Sequence, residues 1–256
     1  MLLAIDVGNS HTVCGIFQDT QLLYHWRLKT DRRKTSDELA ISFHTMLAIK
    51  GLAFKDISAV VIASVVPTQQ KAWVDFTAKT GWPVLQVNNK TMHTGMKILT
   101  DNPQEVGADR IVNAVAAYHR FGTPLIVVDF GTAITFDCVS ADGDYIGGVI
   151  APGIAISLDA LSARTAKLPR VDISTPPPTI IGTNTVNAIK SGILYGYGGM
   201  VTGIIEQLRK PFAPAVPKVI ATGGMAELII PYTNAIEFSE PNLTLEGLRI
   251  LYEKNR

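Results

Sequence analysis

Asp6-Val7-Gly8-Asn9-Ser10 and Asp129-Phe130-Gly131-Thr132-Ala133 are two copies of one short pattern, an acid followed by a glycine and small side chains. Each copy comes directly after an apolar run, at 1–5 and at 125–128. A second apolar run follows each copy, so the pattern predicts two strand–turn–strand units. In such a unit a carboxylate and backbone N–H groups lie side by side at a strand exit, which suits a polyphosphate and its metal ion. We therefore expect two facing lobes that hold one nucleotide.

Composition and charge narrow the possible classes of protein. The chain has 256 residues, of which 47% are hydrophobic and 18% charged, so it can form a sizeable core. The net charge is +1, and the densest basic stretch, Arg32-Arg33-Lys34, is interpreted as a solvated loop, which argues against nucleic-acid binding. The apolar run 59–66 is too short to span a bilayer, which needs about 20 residues, so no membrane partner is expected. Cys14 and Cys138 show no metal-binding spacing and are interpreted as buried side chains of a cytoplasmic protein.

The order of the predicted elements repeats along the chain. The first third reads as three strands, a helix, a strand, a helix and a strand, with a capping box at Thr35 to Glu38 in front of the first helix. A helix over 108–119 precedes the second copy, after which the strand pattern restarts; helices over 184–209 and 243–252 follow. The two halves are offset by 123 residues when Asp6 is aligned with Asp129. We place the domain boundary near residue 117, with an N-terminal lobe at 1–117 and a C-terminal lobe at 118–256.

Gly107-Ala108-Asp109-Arg110 stands at the start of a predicted helix and has two interpretations. In the first, Asp109 is only an N-cap that complements the helix dipole. In the second, Asp109 is a general base that accepts the proton of a substrate hydroxyl as this hydroxyl attacks a γ-phosphorus. Arg110 could then pair with a substrate carboxylate through two hydrogen bonds. The residues alone leave both interpretations open.

Other motifs add one candidate and exclude several classes. Thr222-Gly223-Gly224-Met225 follows a short strand and could place backbone against an adenine ring, although a purely structural turn is equally consistent. The chain contains neither the P-loop motif nor the dinucleotide fingerprint, and it has no Cys/His cluster for a transition metal. The absence of these motifs leaves paired glycine turns as the expected nucleotide site.

Five stretches together resemble the type III pantothenate kinases, within the superfamily of actin, sugar kinases and heat-shock chaperones. Their order and spacing hold over nearly the whole chain. They are Asp6 to Thr12, Asp101-Asn102-Pro103-Gln104-Glu105-Val106-Gly107-Ala108-Asp109-Arg110, Asp129 to Ala133, Gly147 to Gly153, and Gly182-Thr183-Asn184-Thr185. The resemblance implies an α/β protein with a two-lobed, duplicated ribonuclease H-like (actin-like ATPase) fold, in which each lobe is a mixed sheet flanked by helices.

The same resemblance implies an activity and a set of site residues. The activity is ATP-dependent phosphorylation of pantothenate, the first step of coenzyme A biosynthesis, by a homodimer that uses Mg²⁺ and a monovalent cation, K⁺ or NH₄⁺. Asp109 would be the catalytic base and Asp129 would bind the monovalent cation. From its position in the first turn, Asp6 could hold Mg²⁺ directly or through water. ATP would be bound by Asp6, Val7, Gly8, Asn9, Ser10, His11, Thr12, Val13 and Thr132. Pantothenate would be bound by Thr100, Gly107, Ala108, Asp109, Arg110 and Thr185, the last from the same or the partner subunit.

Two positions depart from the family pattern, and two rival functions stay open. Thr100 stands where many relatives carry an aromatic residue that contacts the substrate, and His11 stands where many carry asparagine. One rival is a nucleotide switch that hydrolyses ATP slowly; the short length argues against it. The other is a regulatory protein that kept the fold and lost the chemistry. The presence of Asp6, Asp109 and Asp129 argues against this second rival.

Overall fold

The computed structural model describes residues 1–87 and 92–256 and contains two five-stranded sheets with helices packed against them. The first half of the chain forms β1 (Leu2–Val7), β2 (His11–Gln18), β3 (Gln21–Lys29), α1 (Ser36–Ile49), β4 (Ala59–Ser64), α2 (Pro67–Thr80), β5 (Val84–Gln86) and α3 (Ala108–Phe121). The second half forms β6 (Leu125–Phe130), β7 (Ala133–Val139), β8 (Tyr145–Pro152), α4 (Ile154–Ala163), α5 (Thr185–Arg209), β9 (Lys218–Thr222), α6 (Ala226–Ile229), β10 (Phe238–Ser239) and α7 (Leu243–Lys254).

The two sheets have the same topology. The first has the order β3-β2-β1-β4-β5 and the second, read in the same direction, β8-β7-β6-β9-β10. In both, three antiparallel strands connected in sequence are extended by two parallel strands, and the parallel neighbour of the first strand (β4 or β9) is almost entirely buried. Each sheet has its own apolar core. The predicted duplicated fold of two mixed sheets flanked by helices is confirmed.

The duplication is not perfect at the turns. In the first unit Asp6 pairs with Val13, whereas in the second Asp129 pairs with Thr135. The first turn is therefore one residue longer than the second. Because the side chains of a strand alternate between faces, an extra residue in the turn changes which side chains of the following strand point to the core. An alignment of the two motifs by sequence alone does not show this difference.

Contacts divide the chain into two compact units that differ from the predicted lobes at the C-terminus. The first unit contains 1–96, 101–116 and 244–256, and the second contains 97–100 and 117–243. The division between Ala116 and Ala117 lies close to the predicted boundary near residue 117, whereas residues 244–256, with most of α7, group with the first unit.

Helix α7 belongs to the first unit because its contacts are there. A Cβ at Gly247 would collide with the carbonyl of Val112 in α3, so the two helices approach closely at this glycine. The side chain of Leu245 lies beside Gly15 of β2, and the Thr244 hydroxyl is 2.7 Å from Oδ1 of Asn113. An amphipathic helix packs where its apolar face is best covered, and the chain position does not determine this.

A four-residue segment, Lys97–Thr100, also lies in the unit opposite to its sequence neighbours. Tyr145 in β8 makes two backbone hydrogen bonds to this segment. Its N–H donates to the carbonyl of Lys97 at 2.8 Å, and its carbonyl accepts from Leu99 N–H at 2.8 Å. The Tyr145 hydroxyl donates to Asp137 at 2.7 Å, and Asp137 is fully buried. The chain thus joins the second unit for four residues before it returns to the first at Asp101.

Most local predictions are confirmed. Thr35 and Glu38 form the expected capping box at the start of α1, with Thr35 N–H 2.7 Å from the Glu38 carboxylate. Cys14 and Cys138 are free and buried. Burial raises the pKa of the Cys14 thiol, and the nearby Asp6 carboxylate raises it further, so this thiol stays protonated. Within the described ranges no helix is long and apolar enough to cross a bilayer.

Candidate active site

The first glycine turn connects β1 and β2 and exposes its polar tip. Gly8 N–H donates to the carbonyl of His11 at 3.0 Å, and a Cβ at Gly8 would lie only 2.9 Å from that oxygen, so the turn requires glycine. Asn9 and Ser10 are exposed at the tip, and Asp6 is half-buried at the end of β1. Polar donors and a carboxylate therefore meet at one strand exit, as the pattern predicted.

Thr30, which directly follows β3, holds this turn in place. Its hydroxyl donates to the Gly8 carbonyl at 2.7 Å, and its N–H donates to the Ser10 carbonyl at 3.0 Å. The hydroxyl of Thr12 lies 3.0 Å from that of Thr30, and Thr12 is buried. Because the Thr30 proton is used on Gly8, Thr12 donates to Thr30 in this arrangement. The Thr12 hydroxyl thus supports the turn from inside, and its role in ATP binding stays a prediction.

Two arginines contact the side chains of the first turn. Arg27 in β3 has its Nη2 3.4 Å from Nδ1 of His11, and Arg32 has its Nη2 3.2 Å from Oδ1 of Asn9. Partial burial and the charge of Arg27 lower the pKa of His11 below its ordinary value. His11 is therefore neutral at pH 7, and the turn itself carries no formal positive charge.

Asp109 lies in the first turn of α3 and is not its N-cap, because the helix begins at Ala108. Its Oδ1 accepts a hydrogen bond from Arg110 N–H at 2.8 Å. Burial raises the pKa of the Asp109 carboxyl above its ordinary value, and this effect exceeds the lowering by the Arg110 N–H and the Arg110 charge. A Cβ at Gly107 would lie 2.5 Å from the same Oδ1, so the glycine leaves room for the carboxylate. A desolvated carboxylate beside an arginine has the properties of a general base.

In the second unit, the turn after β6 is packed between two glycines. A Cβ at Gly223 would collide with Oδ1 of Asp129 and lie 2.6 Å from Phe130 N, and Gly223 has φ of +92°. A Cβ at Gly153, just before α4, would collide with the carbonyl of Thr132. These contacts bring the predicted second motif, the predicted Gly223 turn and the start of α4 together around Asp129 and Thr132.

Asp129 lies between two glycines of the second unit. Its half-buried carboxylate lies at the end of β6, close to backbone groups of Gly131 and Gly223. Within the described part of the chain there is no group of three or more His, Cys, Asp or Glu side chains that could hold a metal ion. A carboxylate supplies hard oxygen ligands, whereas thiolate and imidazole groups suit most transition metals.

Thr185 is the first residue of α5 and lines a cavity of about 600 Å³ in the second unit. Asn184 caps the helix, with Oδ1 2.9 Å from Asn187 N–H. The cavity wall combines the polar segment Gly182 to Thr185 with apolar side chains, among them Leu161, Leu168 and Ile193. Thr185 therefore stands where a ligand with polar and aliphatic parts could be bound.

Thr100 has a buried hydroxyl for which the described residues supply no hydrogen-bond partner. It belongs to the segment that pairs with Tyr145, and its Cγ2 lies 4.0 Å from the position of a Cβ at Gly147. A buried hydroxyl without a partner costs roughly 1 to 3 kcal/mol. Thr100 thus brings an unsatisfied polar atom to this segment.

The structure groups the predicted residues into separate sets. Residues 6–13 and 107–110 belong to the first unit, whereas Thr100, Asp129, Thr132 and Thr185 belong to the second. Sequence reasoning missed Thr30 and the contact of Arg32 with Asn9. The signal in the sequence was the basic stretch that includes Arg32, shortly after β3. This stretch was interpreted as a solvated loop.

Solved structures of other proteins share the fold of this chain. A solved structure of similar fold is the activator of the 2-hydroxyisocaproyl-CoA dehydratase from Clostridium difficile with bound ADPNP, with a TM-score of 0.58 and 12% identity over 98% of this chain and 93% of that chain. At this identity the similarity concerns the fold alone. The two sheets of this chain therefore share the fold of that activator.

Sequence similarity is much higher to curated kinases. A type III pantothenate kinase of Desulfotalea psychrophila is 52% identical over 98% of this chain and 97% of its own. Another, from Syntrophotalea carbinolica, is 50% identical over 100% of both chains. Residues 2–207 match the family described as type III pantothenate kinase. The chain therefore belongs to the type III pantothenate kinase family.

Proposed function

We propose that this protein transfers the γ-phosphoryl group of ATP to the primary hydroxyl of pantothenate, with Asp109 as general base. The observation that carries this proposal is the Asp109 carboxylate, whose pKa is raised by burial and for which Gly107 leaves room. Membership of the kinase family supports the choice of reaction and substrates.

In the proposed mechanism, residues 107–110 at the start of α3 act on pantothenate, the acceptor of the phosphoryl group. Gly107 and Ala108 line its binding site, and Arg110 pairs with its carboxylate. Asp109 accepts the proton of the hydroxyl as the hydroxyl oxygen bonds to the γ-phosphorus and the bond to the β,γ-bridging oxygen breaks, releasing ADP. Phosphoryl transfer depends chiefly on alignment and charge neutralisation, so one positioned carboxylate is sufficient for the proton transfer.

The glycine turns bind the nucleotide in this proposal. Asn9, Ser10 and the backbone of residues 6–13 contact the phosphate oxygens, and Thr132 adds a contact from the second motif. Thr12 contributes by holding the turn through Thr30. Asp6 would hold Mg²⁺ directly or through water, and the bound ion would neutralise phosphate charge. The half-buried carboxylate of Asp6 at the strand exit suits this hard cation.

The proposal includes a monovalent cation, K⁺ or NH₄⁺, at Asp129 and further pantothenate contacts at Thr100 and Thr185. The half-buried Asp129 carboxylate at the end of β6 and the cavity beside Thr185 support these assignments. We also propose that the protein acts as a homodimer, in which Thr185 contacts the substrate of its own or of the partner subunit, and that it is cytoplasmic. The buried, free cysteines are consistent with this location.

An ADP-release assay tests the proposed activity. With MgATP and K⁺, we expect ADP to be released only when pantothenate is added, because the acceptor supplies the attacking hydroxyl. Replacing K⁺ by Na⁺ should abolish the release, since the smaller ion does not match the site at Asp129. ATP binding without pantothenate-dependent release would instead favour a nucleotide switch or a regulatory protein.

Gly107→Ala tests whether the space beside Asp109 matters for catalysis. The new Cβ would lie 2.5 Å from Oδ1, so the carboxylate must rotate away while the backbone keeps its path. We expect kcat to fall about a hundredfold, the effect of a misplacement of about 1 Å, with MgATP affinity unchanged. Gly203→Ala, at a glycine of α5 with nothing within 4 Å, is the control and should leave kcat unaltered. Equal kcat in both variants would contradict the assigned role of the Asp109 position.

A further inference from the structure

The basic segment after β3 is fastened to the first glycine turn. Thr30 makes two hydrogen bonds to backbone carbonyls of this turn, those of Gly8 and Ser10. The next two residues bring the guanidinium of Arg32 to the side chain of Asn9, at 3.2 Å. A residue 23 positions away in sequence thus reaches the exposed tip of the turn.

The charge of the turn requires a cation from elsewhere. Residues 6–13 include one acid and no lysine or arginine, and the lowered pKa of His11 keeps it neutral at pH 7. A nucleoside triphosphate brings several negative charges to this place, which Mg²⁺ offsets only in part. Arg32 supplies a permanent positive charge in direct contact with the tip.

The geometry of the contact leaves Arg32 available for a ligand. One N–H of the guanidinium is used on Asn9, and an arginine has five. Within the described ranges no carboxylate lies at ion-pair distance from this side chain. The bond also directs the Asn9 amide oxygen towards Arg32, so the Asn9 NH₂ group is directed away from it as a second donor.

We propose that Arg32 binds the phosphate chain of the nucleotide and orients the Asn9 amide towards it. This proposal rests on the proposed nucleotide site and adds a residue outside the motifs of the glycine turns. Arg32 acts as a binding residue through its own guanidinium and as a positioning residue through Asn9.

The matched pair Arg32→Gln and Arg33→Gln tests this assignment, because both variants remove one positive charge from neighbouring exposed positions. The Arg33 side chain makes no hydrogen bond or ion pair within the described residues. Isothermal titration calorimetry should show MgATP binding about tenfold weaker in Arg32→Gln, the loss of one charge-assisted hydrogen bond, and within about twofold of the original protein in Arg33→Gln. Adenosine, which lacks phosphates, should bind equally to all three proteins.

Salt dependence and stability give a second readout. MgATP binding should weaken less with added salt in Arg32→Gln than in Arg33→Gln, because the direct phosphate contact is already lost. The melting temperatures of both variants should stay unchanged, since the contact with Asn9 is exposed.

Three outcomes would overturn the role of Arg32. These are equal weakening of MgATP binding in both variants, unchanged binding in Arg32→Gln, and parallel loss of adenosine binding, which would indicate a disturbed turn. Failure of the proposed kinase activity would look different: MgATP binding would still distinguish the two variants, but pantothenate would cause no ADP release.

Discussion

Asp109→Asn is expected to abolish turnover while MgATP binding is retained. Asparagine has nearly the same shape as aspartate. Its amide oxygen can still accept the hydrogen bond from Arg110 N–H, which is 2.8 Å long in the original protein, so the start of α3 should be preserved. It cannot accept the proton of the attacking hydroxyl, and general-base catalysis typically contributes about 10² to 10⁴ in rate. The measurement is kcat in the ADP-release assay together with MgATP affinity by calorimetry.

Glu105→Gln is the control for this variant. Glu105 is an exposed carboxylate on the loop that leads to α3, so its removal changes the charge equally but should leave kcat unaltered. Equal activity in Asp109→Asn and the original protein would remove Asp109 from the mechanism.

The raised pKa of Asp109 has two further consequences, a loss of activity at low pH and a loss of stability at higher pH. Since the base must be ionised, kcat/KM for pantothenate should fall on the acid side at a pH above the ordinary range of an aspartate. Because the folded-state pKa is raised, stability is highest below the ordinary pKa of aspartate and falls as the pH rises from there through the raised pKa. Asp109→Asn should therefore melt at a higher temperature than the original protein at pH 7, although it is inactive. Such an exchange of stability for function is common at active sites.

Gly223→Ala is expected to cause the largest loss of stability. The residue has φ of +92°, and the new Cβ would collide with Asp129 and lie 2.6 Å from Phe130 N. Overpacking of a tight site costs about 1 to 3 kcal/mol, and the unfavourable backbone conformation adds about 1 to 2 kcal/mol. Urea unfolding should show the combined loss, and the remaining folded protein should lose its response to K⁺ because Asp129 is displaced.

Gly122→Ala separates the two contributions. Gly122, directly after α3, has φ of +56° and nothing within 4 Å of a new Cβ, so only the backbone strain remains. Its loss of stability should be about 1 to 2 kcal/mol, and its K⁺ response should be normal. If both variants lost the same free energy of unfolding, contact with Asp129 would not contribute to the loss at residue 223.

Features repeated along the chain could be predicted from the sequence. The motifs at Asp6 and Asp129 stand out because each follows a buried strand and repeats the same chemistry, and the capping box at Thr35 needs only residues three apart. The strands and helices follow from such local patterns, which depend on hydrophobic periodicity and turn chemistry. The duplicated fold then follows from the order of the elements.

Features that depend on contacts between distant residues could not be predicted in this way. Asp129 meets the Gly223 turn because β6 and β9 pair in parallel, which places Asp129 opposite Thr222. Thr30 meets Gly8 through the pairing of β2 with β3 and the path of the chain after it. The longer first turn depends on strand register, which a comparison of the motifs does not reveal.

The placement of α7 has a consequence for the order in which the protein folds during its synthesis. Residues 244–256 leave the ribosome after the whole of 117–243, yet they complete the unit that begins at Met1. Until then the surfaces of Gly15 and Val112 that α7 covers remain exposed on the nascent chain. Contacts between such distant parts of a chain form slowly. The half that is translated first is thus the half whose core is closed last, and it is the one that needs protection from aggregation during translation.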